Sequence, residues 1–189
     1  MAEGTDQQLV DKVLNGNKNA FNLLVLRYQH RMVALIGRFI RDPQEVEDVC
    51  QEAFIKAYRA LPLFRGDSAF YTWLYRIAVN TAKNHLVSRK RRPPTSDLEV
   101  TEAEASEIGL VLREIENPEA SLATDKLKQA IDAAIQDLPE DLRTAFTLRE
   151  FSGLSYEDIT KVMDCPVGTV RSRIFRAREA IDKKIRELL

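Results

Sequence analysis

Cysteine is scarce in this 189-residue chain: Cys50 and Cys165 stand alone, and neither has a second cysteine or a histidine at metal-ligand spacing. Isolated cysteines of this kind are ordinarily small buried packing groups, so no disulfide, metal site or cofactor is expected. Long apolar runs are missing as well. No stretch reaches the roughly 18 apolar residues of a membrane-spanning helix, and the start MAEGTDQQLV has neither the basic head nor the apolar middle of a signal peptide. The chain is therefore expected in the cytoplasm. Histidine occurs only at His30 and His85, with no phosphate-cradling glycine loop or nucleophile motif anywhere. Neighbouring carboxylates such as Glu47 and Asp48 leave a helix in different directions, so an enzyme is disfavoured.

An excess of charge of one sign is also absent. A formal net charge of −1 argues against a protein that coats nucleic acid by charge alone. The distribution says more than the sum. Acidic residues (Asp97, Glu99, Glu102, Glu104, Glu107, Glu114, Glu116 and Glu119) crowd one stretch against a lone Arg113, and basic clusters lie on either side of it. Pro93-Pro94 stops a helix, the following TSDLEVTEAEASEIG has weak apolar periodicity, and Asn117-Pro118 suits the opening of the next helix. The expected layout is an N-terminal helical domain over 1–92, a flexible acidic linker over 93–117 and a C-terminal helical domain over 118–189. Helical periodicity dominates both halves and no strand-like alternation occurs, so the fold class is all-α.

In the N-terminal half, Gln7 to Leu14 reads as a short helix closed by Gly16, and a long apolar helix follows from about Lys18 to Ile40. Asp42-Pro43-Gln44-Glu45 resembles a capping box with proline in the first turn. The helix it opens carries Val46, Val49, Cys50, Ala53, Ala57 and Leu61 on one stripe, with Phe54 and Tyr58 alongside. Its opposite side offers Asp48, Gln51, Glu52 and Ile55, a mixture of acid, amide and apolar groups suited to a protein partner.

The stretch SYEDITKVMDCPVGTVRSRIFRAREAI reads as two helices about a turn, with Ser155 and Asp158 as a capping box and Asp164 to Gly168 as the break. That is a helix-turn-helix. On its second helix Val170, Ile174, Ala177 and Ile181 make a buried stripe. Arg171, Phe175 and Arg178 form the neighbouring row, with Ser172 and Arg176 beside it. Such a helix is equipped for the major groove, where arginine bonds guanine bidentately and an apolar group rests on a thymine methyl.

Between these features, FRGDSAFYTWLY places five aromatic residues in twelve positions and runs on into Arg89-Lys90-Arg91-Arg92. Asp67 or Ser68 is the expected N-cap of a helix whose core face carries Phe70, Trp73 and Ile77, flanked by Leu74, Ala78 and Thr81. Arg76, Asn80, Lys83 and Asn84 line its outer side. A polar and basic face beside an aromatic loop suits both phosphates and unstacked bases.

Three segments together, DVCQEAFIKAYRAL, FRGDSAFYTWLYRIAVNTAKN and GLSYEDITKVMDCPVGTVRSRIFRAREAI, resemble the extracytoplasmic-function sigma factors of bacterial RNA polymerase, of the sigma-E/AlgU type. The resemblance implies a region 2 domain, a linker running toward the RNA exit channel, and a region 4 domain. It implies that Asp48, Gln51, Glu52 and Ile55 grip the β′ coiled coil of core polymerase, with the β flap as a second contact. Phe64, Asp67, Ser68, Ala69, Phe70, Trp73, Arg76, Asn80 and Lys83 would then bind and open the −10 promoter element. Gly168, Thr169, Arg171, Ser172, Phe175 and Arg176 would read the −35 element. A membrane-anchored anti-sigma factor, holding the chain at the inner membrane, is a further implied partner, in a stress response. The rival is a stand-alone helix-turn-helix regulator, which would leave the helix from Phe70 to Asn84 without a task.

Overall fold

The computed structural model describes residues 4–91 and 128–187, and the readings at the linker and at Pro93, Pro94 and Pro118 lie outside them. All regular structure among the described residues is helical. The N-terminal half holds α1 (Asp6–Leu14), α2 (Lys18–Ile36), α3 (Pro43–Ala60), a single 3₁₀ turn (Leu61–Leu63) and α4 (Phe70–Arg91). The C-terminal half holds α5, helical over 128–136, then α6 (Glu140–Glu150), α7 (Tyr156–Met163) and α8 (Val167–Arg186). No described helix is long and apolar enough to cross a membrane.

Local chemistry explains the helix ends. Thr5 and Gln8 close a reciprocal capping box on α1, and Gly16 beyond its end takes the left-handed φ of +93° that glycine adopts most readily. Asp42 caps α3 by accepting from the amides of Gln44 and Glu45. The expected box there is only half made, because the Glu45 side chain turns instead to Arg89 (2.9 Å) and His85 (3.4 Å) on α4. The second helix stops at Ile36 rather than Ile40. Phe39 and Ile40 are nonetheless buried in the turn that follows, so apolar spacing outlasts the helix.

The α3 stripe from Val46 to Leu61 is buried as its spacing predicts. On α4 the buried face is rotated from the expected one. Leu74, Tyr75, Ala78, Val79 and Ala82 are buried, while Trp73 and Ile77 pack from the half-exposed margin. The reason is a second partner: α4 packs on α3 and α2 with one side and on α7 with another. Leu148, Leu154, Ile159, Val162 and Ile174 of the C-terminal half join the same apolar core as α1 to α4, whereas Ala134, Ile135, Leu138, Ala177 and Ile181 form a separate one.

Candidate nucleic-acid and partner interfaces

The loop between the 3₁₀ turn and α4 turns at Gly66, whose φ of +75° disfavours a residue with a Cβ. Helix α4 begins at Phe70, so Asp67 and Ser68 lie ahead of the capping position and belong to the loop. Phe64 tilts against Trp73 with ring centroids 5.1 Å apart and meets Phe70 edge-on at 6.0 Å. Phe64 and Trp73 remain half-buried, with one side available, whereas Phe70 is only 4% exposed. Phe70 is thus a brace, packed against Tyr28 at 5.9 Å, and has no free face for a base. Arg65, Asp67 and Ala69 are exposed, as are Arg76 and Asn80 farther along α4.

Lys83 departs from the expected solvent face. It is half-buried and its ammonium pairs with Glu140 (3.0 Å) and Asp141 (3.5 Å) at the start of α6. Asp67, Ser68, Thr72, Trp73 and Arg76 line a cavity of about 260 Å³ whose remaining wall is Lys161 and Asp164 of the helix-turn-helix.

A larger concavity of about 1030 Å³ lies between α2 and α3. Asp48, Gln51 and Ile55 line it, and Ile55 is 45% exposed although large and apolar. Glu52 is exposed beside the groove and pairs along its own helix with Lys56 at 2.7 Å. Sequence reading missed the α2 wall, made by Phe21, Val25, Gln29 and His30, and the Tyr58 edge that meets Phe21 at 5.0 Å. The available signal was apolar residues on α2 and α3 outside their core stripes. Cys50 forms part of this wall too, and its thiol is pushed up to about 11 by burial and by nearby Glu47, so it stays protonated and unreactive.

In the helix-turn-helix, Ser155 caps α7 by accepting from the Asp158 amide at 3.0 Å. Asp164 ends α7 in the left-handed conformation with φ of 51°, and the chain re-enters α8 behind Pro166. Val170, Ile174, Ala177 and Ile181 are all buried, which turns Arg171, Ser172, Phe175 and Arg176 outward. Gly168 is exposed, Thr169 is half-buried, and its carbonyl accepts from the Ser172 hydroxyl at 3.0 Å. Phe175 is 62% exposed, a large cost-free contact surface only if something covers it. The Arg171 guanidinium lies 5.6 Å from the Tyr156 ring.

Residues 24–92 match the sigma-70 region 2 family, and residues 128–181 match the sigma-70 region 4 family. The chain is 64% identical over 189 residues to the RNA polymerase sigma-H factor of Pseudomonas aeruginosa, covering 100% of this chain and 98% of that one. It is 62% identical over 185 residues to the ECF RNA polymerase sigma-E factor of Escherichia coli K12, covering 98% and 96%. Among solved structures it resembles CnrH in complex with the cytosolic domain of CnrY, with a TM-score of 0.67, 25% identity and coverage of 94% and 95%.

Proposed function

The chain belongs to the extracytoplasmic-function sigma factors of RNA polymerase, and from that membership we propose how its surfaces divide the work of promoter recognition. It is a transcription initiation factor that binds core polymerase, directs it to promoters through their −10 and −35 elements and assists melting. One observation carries the division of labour: the α2–α3 groove, the aromatic loop with α4, and the outward row of α8 are three chemically different surfaces on one chain.

Residues 1–92 are read as the region 2 domain, 93–117 as the linker and 118–189 as the region 4 domain. Asp48, Gln51 and Ile55, with Glu52 at the margin, form the docking face for the polymerase β′ coiled coil. Phe64 and Trp73 receive an unstacked −10 base, Arg76 and Lys83 hold phosphates, and Asn80 contacts the adjoining pair. Arg171 and Arg176 read −35 base edges, Phe175 covers a thymine methyl, and Gly168 and Thr169 bring the start of α8 to the backbone. The chain acts in the cytoplasm, where polymerase and promoter meet, and an anti-sigma factor at the inner membrane restrains it until envelope stress. Full-length relatedness to an ECF sigma-E factor supports this part of the reading.

Transcription from a promoter library by core polymerase with and without the protein tests the function. The expected result is initiation confined to promoters sharing a −10 and a −35 motif. Specific binding to a −35 duplex with no association with core polymerase would favour a stand-alone helix-turn-helix regulator instead.

A further inference from the structure

Helix α1 contributes no residue to the α2–α3 groove, the aromatic loop or the outward row of α8, yet one of its side chains begins a line of contacts that reaches the loop. Asp6, in the first turn of α1, accepts from two consecutive residues of α2: from the Arg27 guanidinium at 2.5 Å through one oxygen and from the Tyr28 hydroxyl through the other. Arg27 also donates to the Gly4 carbonyl at 2.9 Å. Consecutive side chains leave a helix about 100° apart, so the carboxylate is held from the solvent margin by half-buried Arg27 and from the interior by Tyr28. Tyr28 is only 4% exposed, and a phenol at that depth requires a hydrogen-bond partner. Burial, reinforced by Asp6, pushes its hydroxyl well above the ordinary range, so it stays a donor. Tethered at the hydroxyl, the Tyr28 ring is fixed in direction, and it meets Phe70 at 5.9 Å with a tilt of 54°. Phe70 in turn lies 5.7 Å from Trp73 and 6.0 Å from Phe64, the two rings with an available side. Helix α1 supports the loop by a second route, because it packs on the 3₁₀ turn that leads into Phe64, and Leu9, Val10 and Leu61 share one core.

We propose that Asp6 and Tyr28 are positioning residues for the −10 base site: the Asp6 carboxylate orients the Tyr28 ring, that ring seats Phe70, and Phe70 sets how Phe64 and Trp73 stand to receive an unstacked base. The consequence falls on specificity. Aromatic faces stack on every base, so discrimination among bases depends on how closely the rings and the loop backbone are held to one shape. Releasing the Tyr28 hydroxyl therefore broadens the bases accepted without removing any group that touches DNA. This inference rests on the reading of the aromatic loop as the −10 base site.

Trp73 is the single tryptophan of the chain, so its emission and its quenching by acrylamide report the shape of the site in the full-length protein without DNA. Tyr28→Phe removes one oxygen and keeps the ring, and Asp6→Ala removes the acceptor. Val46→Ala is the control for lost stability alone: Val46 is buried on α3 beside Glu45, whose partners His85 and Arg89 lie at the far end of α4 from Phe70. At a temperature where all variants are folded, Tyr28→Phe and Asp6→Ala should shift Trp73 emission and raise its quenching, while Val46→Ala should do neither. Each protein is then assembled with core polymerase and bound to promoters unpaired across the −10 element, carrying each base in turn. The preference that Phe64→Ala abolishes should fall about fivefold in Tyr28→Phe and Asp6→Ala, the fold-change matching the lower end of one stacked base, and stay at the parent's level in Val46→Ala. Unmoved Trp73 emission, or a shifted emission with the parent's base preference, would overturn the positioning role. A promoter set on which Phe64→Ala changes no base preference would instead overturn the −10 assignment, and the inference with it.

Discussion

The Arg178 guanidinium lies 2.5 Å from the Glu150 carboxylate, which ties the recognition helix α8 to the end of α6. Sequence spacing places Arg178 in one row with Arg171 and Phe175, yet its charge is already engaged inside the protein. The three arginines are therefore expected to behave differently. Arg171→Ala or Arg176→Ala should weaken −35 binding by about 1–3 kcal/mol and relax the preference at one base pair. Arg178→Ala should leave the base preference intact and cost about 0.2–1 kcal/mol of stability, as exposed ion pairs do. Binding against a set of point-mutated −35 duplexes distinguishes the outcomes, since a uniform loss for Arg171 or Arg176 would mean a phosphate contact.

Charge reversal at Asp48 isolates the partner groove. Asp48 is exposed and lies opposite the buried stripe of α3, so Asp48→Arg should change stability by less than about 0.5 kcal/mol while sharply weakening binding to core polymerase. Glu52→Arg additionally loses the pair with Lys56, a term of about 0.3–0.5 kcal/mol. Thermal melting and a polymerase pull-down, read together, test the assignment. Unchanged polymerase affinity in both variants would remove it.

Acid should release the contact between the halves through Asp158. Burial pushes that carboxyl up, but hydrogen bonds from Ser155, Thr72 and Tyr71 and the Lys161 ammonium outweigh burial and hold it below its ordinary value. Tyr71 itself is raised, chiefly by burial, and so remains a donor. A depressed carboxyl contributes stability that is complete above its free value of about 3.9 and is lost as pH falls through the docked value. The separation of the halves should accordingly be constant at neutral pH and increase only below about pH 4. Asp158→Asn should remove the part of that response due to this group, because the amide does not titrate. Identical acid profiles for parent and variant would show that Asp158 does not govern the contact.

The parts of the fold legible in the sequence are those that one helix determines by itself. Val170, Ile174, Ala177 and Ile181 are buried in the pattern their spacing dictates, and with that stripe fixed, the outward direction of Arg171, Ser172, Phe175 and Arg176 follows. The α3 stripe and its opposite face were legible for the same reason. Helix α4 was misread because two bodies cover it. Tyr75 is buried near Ser152 of the C-terminal half, and no periodicity within α4 can announce a partner more than seventy residues away. Lys83 illustrates the same limit: its spacing puts it on an outer face, and only the docked α6 shows what occupies that face. The α2 wall of the groove was missed since a concavity is a property of two helices together.

The aromatic loop provides the sharpest separation of packing from function, because its rings differ in burial while sharing one cluster. Phe70 is 4% exposed and touches Tyr28, Phe64 and Trp73, so Phe70→Ala should cost about 3–5 kcal/mol of stability and impair every function together. Phe64 is half-buried at the loop and Asn80 is exposed on α4. Phe64→Ala and Asn80→Ala should still join core polymerase and recognise the −35 element, but open duplex promoters poorly, since stacking against a ring contributes about 1–3 kcal/mol per base. Permanganate reactivity of unpaired thymines measures opening directly. A promoter already unpaired across the −10 element should rescue much of the melting defect in both variants, whereas the Phe70 variant should gain nothing beyond its folded fraction. If Phe64→Ala and Asn80→Ala open duplex promoters as the parent does, the rings around Gly66 serve packing alone and the −10 element is held elsewhere.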